Sequence, residues 1–195
     1  WDKRYVPFPY WPPQAHYRQV ISGQAVLSRY PIRRNERLVL EKVPTNPFYY
    51  NALYLDRIAQ VSEIDVSGQP LIVINVHLEA FDAPTRTRQT QVVRELAEGY
   101  AEDYPVLLLG DFNSSLNRDE GDEPRSIGIL LDSPVLASAL PTAPSSFTFP
   151  SDQPQYVLDY IFYTPATLEL VTADVVAEAA QASDHLPIQA QVRLR

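Results

Sequence analysis

Hydrophobic positions along the chain gather in short runs that end on polar residues. Val106 to Leu109 is wholly apolar, and Leu71 to Val76 is apolar at all but Asn75. Runs of this length with no polar alternation predict strands covered on both faces. Further strand-like runs are Ala25 to Ser28, Leu38 to Val43, Leu53 to Val66, Tyr156 to Tyr163, Leu168 to Val176 and Ile188 to Leu194. Pro31 closes the first of these, and Ser67-Gly68-Gln69 predicts a hairpin turn between Val66 and Pro70. Between Pro84 and Tyr100 the period changes: Val92, Val93, Leu96 and Tyr100 fall at three-to-four spacing, which predicts a helix. Asn117 to Arg125 reads as a charged loop and Ser126 to Leu140 as broken helix. Residues 1–22 follow another rule, since Trp1, Tyr5, Phe8, Tyr10, Trp11 and Tyr17 are interspersed with Pro7, Pro9, Pro12 and Pro13. That pattern predicts an extended arm, packed on the body or serving as a substrate platform, ahead of a domain over 23–195. Strands dominate, with a helix between two of them, so the fold class is mixed α/β or α+β in layers.

Composition narrows the class. A chain of 195 residues with 45% hydrophobic content builds one core without a second domain. With no cysteine, disulfides and zinc–thiolate sites are excluded, so any metal rests on oxygen or imidazole ligands, which favours magnesium, manganese or calcium. No run approaches about 18 apolar residues and no charged-then-apolar leader opens the chain, which predicts a soluble protein, cytoplasmic or secreted/periplasmic. The net charge of -8 repels polyanions, and this disfavours a binder of long duplex DNA. A small or local phosphoester fits the charge better.

Two motifs carry candidate chemistry: Leu109-Gly110-Asp111-Phe112-Asn113-Ser114 and Ser183-Asp184-His185-Leu186-Pro187-Ile188. Each puts a carboxylate beside a second hydrogen-bonding or metal-binding side chain at a strand terminus, where a sheet delivers side chains into a shared crevice. Asp111 and Asn113 stand two apart on an extended segment, so both point into one site. In isolation an Asp/Asn turn closing a strand looks the same. A lone strand-end histidine more often satisfies a buried backbone group than performs catalysis.

Taken in order with Gly23-Gln24-Ala25-Val26-Leu27-Ser28-Arg29-Tyr30-Pro31-Ile32, Val73-Ile74-Asn75-Val76-His77-Leu78 and Phe147-Thr148-Phe149-Pro150 followed by Leu158-Asp159-Tyr160, the chain resembles the endonuclease/exonuclease/phosphatase superfamily. This group includes pancreatic-type deoxyribonuclease, apurinic/apyrimidinic endonucleases and neutral sphingomyelinases. The resemblance implies a four-layer αββα sandwich and a divalent-metal-dependent phosphoesterase, with Mg2+, or else Mn2+ or Ca2+, as cofactor. It implies that Asp111 orients and deprotonates water, Asn113 donates to a phosphate oxygen, His185 acts at the scissile phosphate with Asp159 behind it, and His77 binds phosphate or protonates the leaving oxygen. Asp184, with Asp111, is implied as a metal ligand, and Gln24 and Arg86 as supporting residues. Glu79 and Asp82 are candidates for an acidic rim, and His16 is read as structural. The family's first strands, one carrying an asparagine and one a metal-binding glutamate, have no counterpart here, so an N-terminally incomplete domain is expected. Val157 also stands where relatives often carry a cation. The substrate is expected to be a phosphodiester of nucleic acid, phospholipid headgroup or small molecule. The rival expectation is a non-catalytic member or inactive fragment that only binds.

Overall fold

The computed structural model describes residues 2–5, 20–49, 56–117, 125–179 and 182–195. Strands β1 (Asp2–Tyr5) and β2 (Val20–Gly23) pair antiparallel with each other. The arm predicted over residues 1–22 therefore includes strand at both ends; Trp1, Phe8, Tyr10, Trp11, His16 and Tyr17 lie outside the described residues. Next come β3 (Ile32–Val39), β4 (Ile58–Val66) and β5 (Gln69–His77). Ser67 and Gly68, at φ 55° and 91°, form the two-residue turn between β4 and β5 with the double positive φ that matches strand twist. Helix α1 (Ala83–Ala101) follows, then β6 (Val106–Asp111), α2 (Ser126–Leu131), β7 (Ala137–Ser138), β8 (Asp159–Tyr163), β9 (Leu168–Val175) and β10 (Ile188–Leu194).

Six of these strands form one sheet in the order β3-β4-β5-β6-β8-β7, and β9 pairs with β10 in a separate ribbon. Among the described strands only β5 and β6 run parallel, and α1 is their crossover, as parallel pairing requires. Asp82 starts α1 by accepting the Thr85 N–H at 2.9 Å, with proline in the first turn. Val93 and Ala97 of α1 are fully buried against one face of the sheet, together with Ile72, Ile74, Val76, Val106 and Leu108. Phe112, Tyr160 and Phe162 close this core as an aromatic cluster with ring centroids 5.6–5.7 Å apart. By the two-residue alternation of strands, Val73, Asn75 and His77 face the other way. That second face meets the ribbon, whose β10 lies against β8.

Three expectations shift. Residues 25–28 are not strand: Leu27 is 96% exposed and the segment runs irregularly past β5, with Ala25 O accepting from Asn75 Nδ2. The strand expected at 38–43 lies earlier, at 32–39, because the polar sequence Arg33 to Arg37 suits an exposed edge strand. The broken helix over 126–140 is one short helix followed by turns and β7. Among the described residues no helix is long and apolar enough to cross a membrane.

Candidate active site

Strand register brings the site together. His77 ends β5, Asp111 ends β6 and Asp159 opens antiparallel β8. The pairings His77↔Asp111 and Asp111↔Asp159 set the three in one row across adjacent strands, on the face away from α1. His77 Nε2 stands 3.5 Å from Asp111 Oδ2. His185 reaches the row from the loop before β10, its Nδ1 2.7 Å from Asp159 Oδ2. That loop is pinned from below. Ser151 donates through its backbone N–H to Asp184 O (2.8 Å) and through its hydroxyl to Ser183 O (2.6 Å), while Leu186 N–H donates to Thr148 O (2.8 Å). The ring of Phe149 packs on His185 at 4.9 Å. The phenylalanine motif and the Ser-Asp-His motif are thus two sides of one clamp.

Asn113 has φ 51°, a left-handed conformation that asparagine tolerates better than most residues. Its backbone N–H donates to Asp111 Oδ1 (2.9 Å) and its amide Nδ2 to Leu78 O (3.0 Å). The second Nδ2 hydrogen remains for another acceptor. These groups border an open cleft of about 600 Å³ that is also lined by Arg57, Ala80, Phe81, Leu158, Ser183 and Asp184.

Ligand-competent atoms of Asp111, Asp159 and His185 all lie within 4.8 Å of one another. At that separation two carboxylates repel by roughly 3 kcal/mol in protein-like surroundings. Burial, and then the Asp159 charge, push the Asp111 carboxyl up from its ordinary 3.8 to about 6. The hydrogen bond that His185 donates to Asp159 holds the imidazole above its ordinary value. His77, with 44% of its side chain still exposed, is pushed down to about 4 by burial and then by the Arg57 guanidinium, so it is neutral at pH 7. The crowded carboxylate oxygens are donors suited to a hard divalent cation, while the imidazole is engaged with Asp159.

The crowding has a measurable consequence for stability. Between pH 3.8 and 6 the folded chain holds a proton on Asp111 that the unfolded chain has released, so this group's contribution to stability falls as pH rises through that window. Asp111→Asn, which carries no charge, should therefore be more stable than the parent at pH 7 in chelator, by about 1–3 kcal/mol. Thermal unfolding should show a higher midpoint at pH 7 and no gain at pH 4. An equal or lower midpoint at pH 7 would disprove the crowding.

The remaining candidates separate into those at the cleft and those behind it. Asp184 lines the cleft and is exposed. The Gln24 amide, oriented to satisfy both ends, accepts the His77 N–H at 2.7 Å and donates to Asn75 O at 2.9 Å, so it grips the backbone of His77. Arg86 is 2% exposed and donates through Nη1 to Glu79 O and Ala80 O, so it holds the loop and not the cleft. The acidic rim expected of Glu79 and Asp82 is not there. Glu79 is 1% exposed, accepts the Phe81 N–H and stands 3.9 Å from Arg57, while Asp82 caps α1. An acid after a strand reads as solvated unless its buried partner is known, and that partner is Arg57. Arg57 itself escaped the sequence reading. Its signal was arithmetic: Val66↔Gln69 fixes the register, and continuing past Ala59↔Val76 sets Arg57 level with Leu78, next to His77.

The site is thus a sheet edge carrying His, Asp, Asn and an Asp–His pair beside an aromatic clamp. The chain belongs to the endonuclease/exonuclease/phosphatase family, whose model matches residues 1–185. It is 29% identical over 182 residues to the uncharacterised protein YbhP of Escherichia coli K12, covering 93% of this chain and 65% of that protein. The chain thus spans just under two thirds of the length of this relative. In structure it is similar to an endonuclease/exonuclease/phosphatase from Beutenbergia cavernae (TM-score 0.72, 22% identity, 100% of this chain and 53% of that one). It is also similar to the Bacteroides thetaiotaomicron mannosyl-6-phosphatase Bt3783 (TM-score 0.65, 19% identity, 85% and 67%). These likenesses agree on the layered fold, with one six-stranded mixed sheet and a smaller ribbon.

Proposed function

We propose that this chain carries the site of a divalent-metal-dependent phosphoesterase that hydrolyses a phosphodiester. The observation that carries the reading is the His185–Asp159 pair at 2.7 Å, set beside Asp111 in a cleft that Arg57 and His77 also line. Hydrolysis needs a water stripped of its proton, charge compensation at the phosphate and a proton for the leaving oxygen. Asp159 holds Nδ1 of His185, which leaves Nε2 as the nitrogen that exchanges a proton with water or phosphate. Asp111 orients and deprotonates the water. The second amide hydrogen of Asn113 and the Arg57 guanidinium bind non-bridging oxygens, and neutral His77 donates a hydrogen bond to phosphate or the leaving oxygen. Asp111 and Asp184 would hold the divalent ion, Asp159 being committed to His185. When bound, that ion supplies charge neutralisation at the phosphate. Magnesium or manganese suits such carboxylate ligands, with most remaining positions filled by water. Gln24 and Arg86 act as positioning residues, through the backbone of His77 and through the loop after it.

The net charge of -8 favours a small or local phosphoester over long duplex DNA. The test is a panel of bis(p-nitrophenyl) phosphate, a dinucleotide and glycerophosphocholine with magnesium, manganese or calcium. EDTA should abolish turnover, and magnesium or manganese should restore it. Full activity in EDTA would remove the metal-dependent reading. Phosphodiester binding without turnover under any metal would instead make the chain a binding module.

A further inference from the structure

Phe81 is 84% exposed, yet the backbone at and before it is hydrogen-bonded to buried side chains. Its N–H donates to Oε1 of Glu79, an acid 1% exposed and paired with buried Arg57. The two peptides before it are fixed as well. Gln89 Oε1 accepts the Glu79 N–H at 2.8 Å, and Arg86 Nη1 donates to the carbonyls of Glu79 and Ala80 at 3.1 and 3.2 Å. Asp82, directly after, is locked by capping α1. Arg57, Glu79, Arg86 and Gln89 are all buried, so several charged and polar side chains are placed in the interior to hold a four-residue loop whose one outward group is a phenyl ring. A single exposed aromatic is ordinary on a protein surface. One that lines the reacting cleft from a rigid support has its approach to substrate settled in advance. The half-buried ring of Phe149, on His185, lines the same cleft.

We infer that Phe81 is a stacking platform for a planar ring on the substrate's alcohol, so that this site selects phosphoesters bearing a nucleobase-like heterocycle over those bearing only glycerol or sugar. The inference rests on the proposed phosphoesterase reading. A flat ring fits better than an acyl chain, because the lip offers one rigid π-face and the acidic chain is repelled by anionic membrane surfaces.

Two measurements on the 195-residue chain test it, one of which needs no turnover. In steady-state hydrolysis with magnesium, Phe81→Ala should raise KM for a thymidine dinucleotide about 5- to 100-fold, the range given by loss of one base–aromatic stack, and leave glycerophosphocholine within about twofold. Phe81→Trp should restore the dinucleotide KM, and Phe81→Leu, apolar but without a π-face, should not. In chelator, the added fluorescence of Phe81→Trp over the parent, which already carries Trp1 and Trp11, should be quenched by thymidine monophosphate and not by ribose 5-phosphate. An equal KM change for both diesters, full rescue by Leu, or quenching by ribose phosphate or phosphatidylcholine vesicles would overturn the platform. If nothing in the panel is hydrolysed, the phosphoesterase reading fails and the quenching experiment alone decides whether a ring binds at Phe81.

Discussion

Asp111→Asn, Asp159→Asn and His185→Ala should each lower kcat for a phosphodiester by at least about a hundredfold, the usual worth of a positioned acid–base or charge-stabilising group. Their reasons differ, and so do their signatures. Asp111→Asn keeps the acceptor for the Asn113 N–H but loses the base, and should gain stability while losing rate. His185→Ala removes the ring that exchanges the proton. Asp159→Asn leaves the ring in place without the charge that holds Nδ1 and raises its proton affinity, so the pH–rate profile should shift as well as fall. Because Asp159 acts through His185, the double variant should be little slower than His185→Ala alone, whereas independent roles would multiply. Asp184→Asn should chiefly raise the metal concentration needed for half activity. Rates within threefold of the parent for Asp111→Asn, Asp159→Asn and His185→Ala together would sink the assignment, and multiplicative losses in the double variant would uncouple Asp159 from His185.

How far the sequence foretold this site depends on which residues act within their own segment. β6 was readable as an apolar run, β10 as a strand-like run, and the hairpin turn and α1 as turn chemistry and a change of period. His77 and Asp111 were legible as the ends of apolar runs, whereas Asp159 was read inside a run from 156 to 163; the strand starts only at Asp159, and its pairing with Asp111 completes the row. What failed were side chains whose meaning lies in a distant partner. Glu79 resembled a solvated rim acid because its partner Arg57 is 22 positions earlier, just ahead of β4. The apolar stretch 25–28 resembled a strand, yet it joins none of the sheets, and Leu27 is left to solvent. Periodicity reports what a segment could bury and not which neighbour arrives to bury it.

Gly110→Ala should be the most damaging single change to the fold. Gly110 sits at φ +135° with a Cβ position only 2.0 Å from the Val76 carbonyl oxygen and 2.9 Å from its carbon. Both atoms are backbone of β5, the parallel partner of β6, so no side chain can swing away. Relief requires β5 and β6 to part at the end where they deliver His77 and Asp111. The forced positive φ adds a strain of about 1–3 kcal/mol before any overlap is counted. We expect a total loss above about 4 kcal/mol, in the range reserved for severe backbone or core damage. Two other glycines calibrate the effect, since a Cβ at Gly99 in α1 or at Gly128 in α2 meets nothing within 4 Å. Gly99→Ala should stabilise by about 0.5–1 kcal/mol through helix propensity alone. Urea unfolding of the three variants separates the cases. A Gly110→Ala chain with a parent-like midpoint would mean that β5 and β6 do not approach as described, and the row of side chains built on their register would lose its foundation.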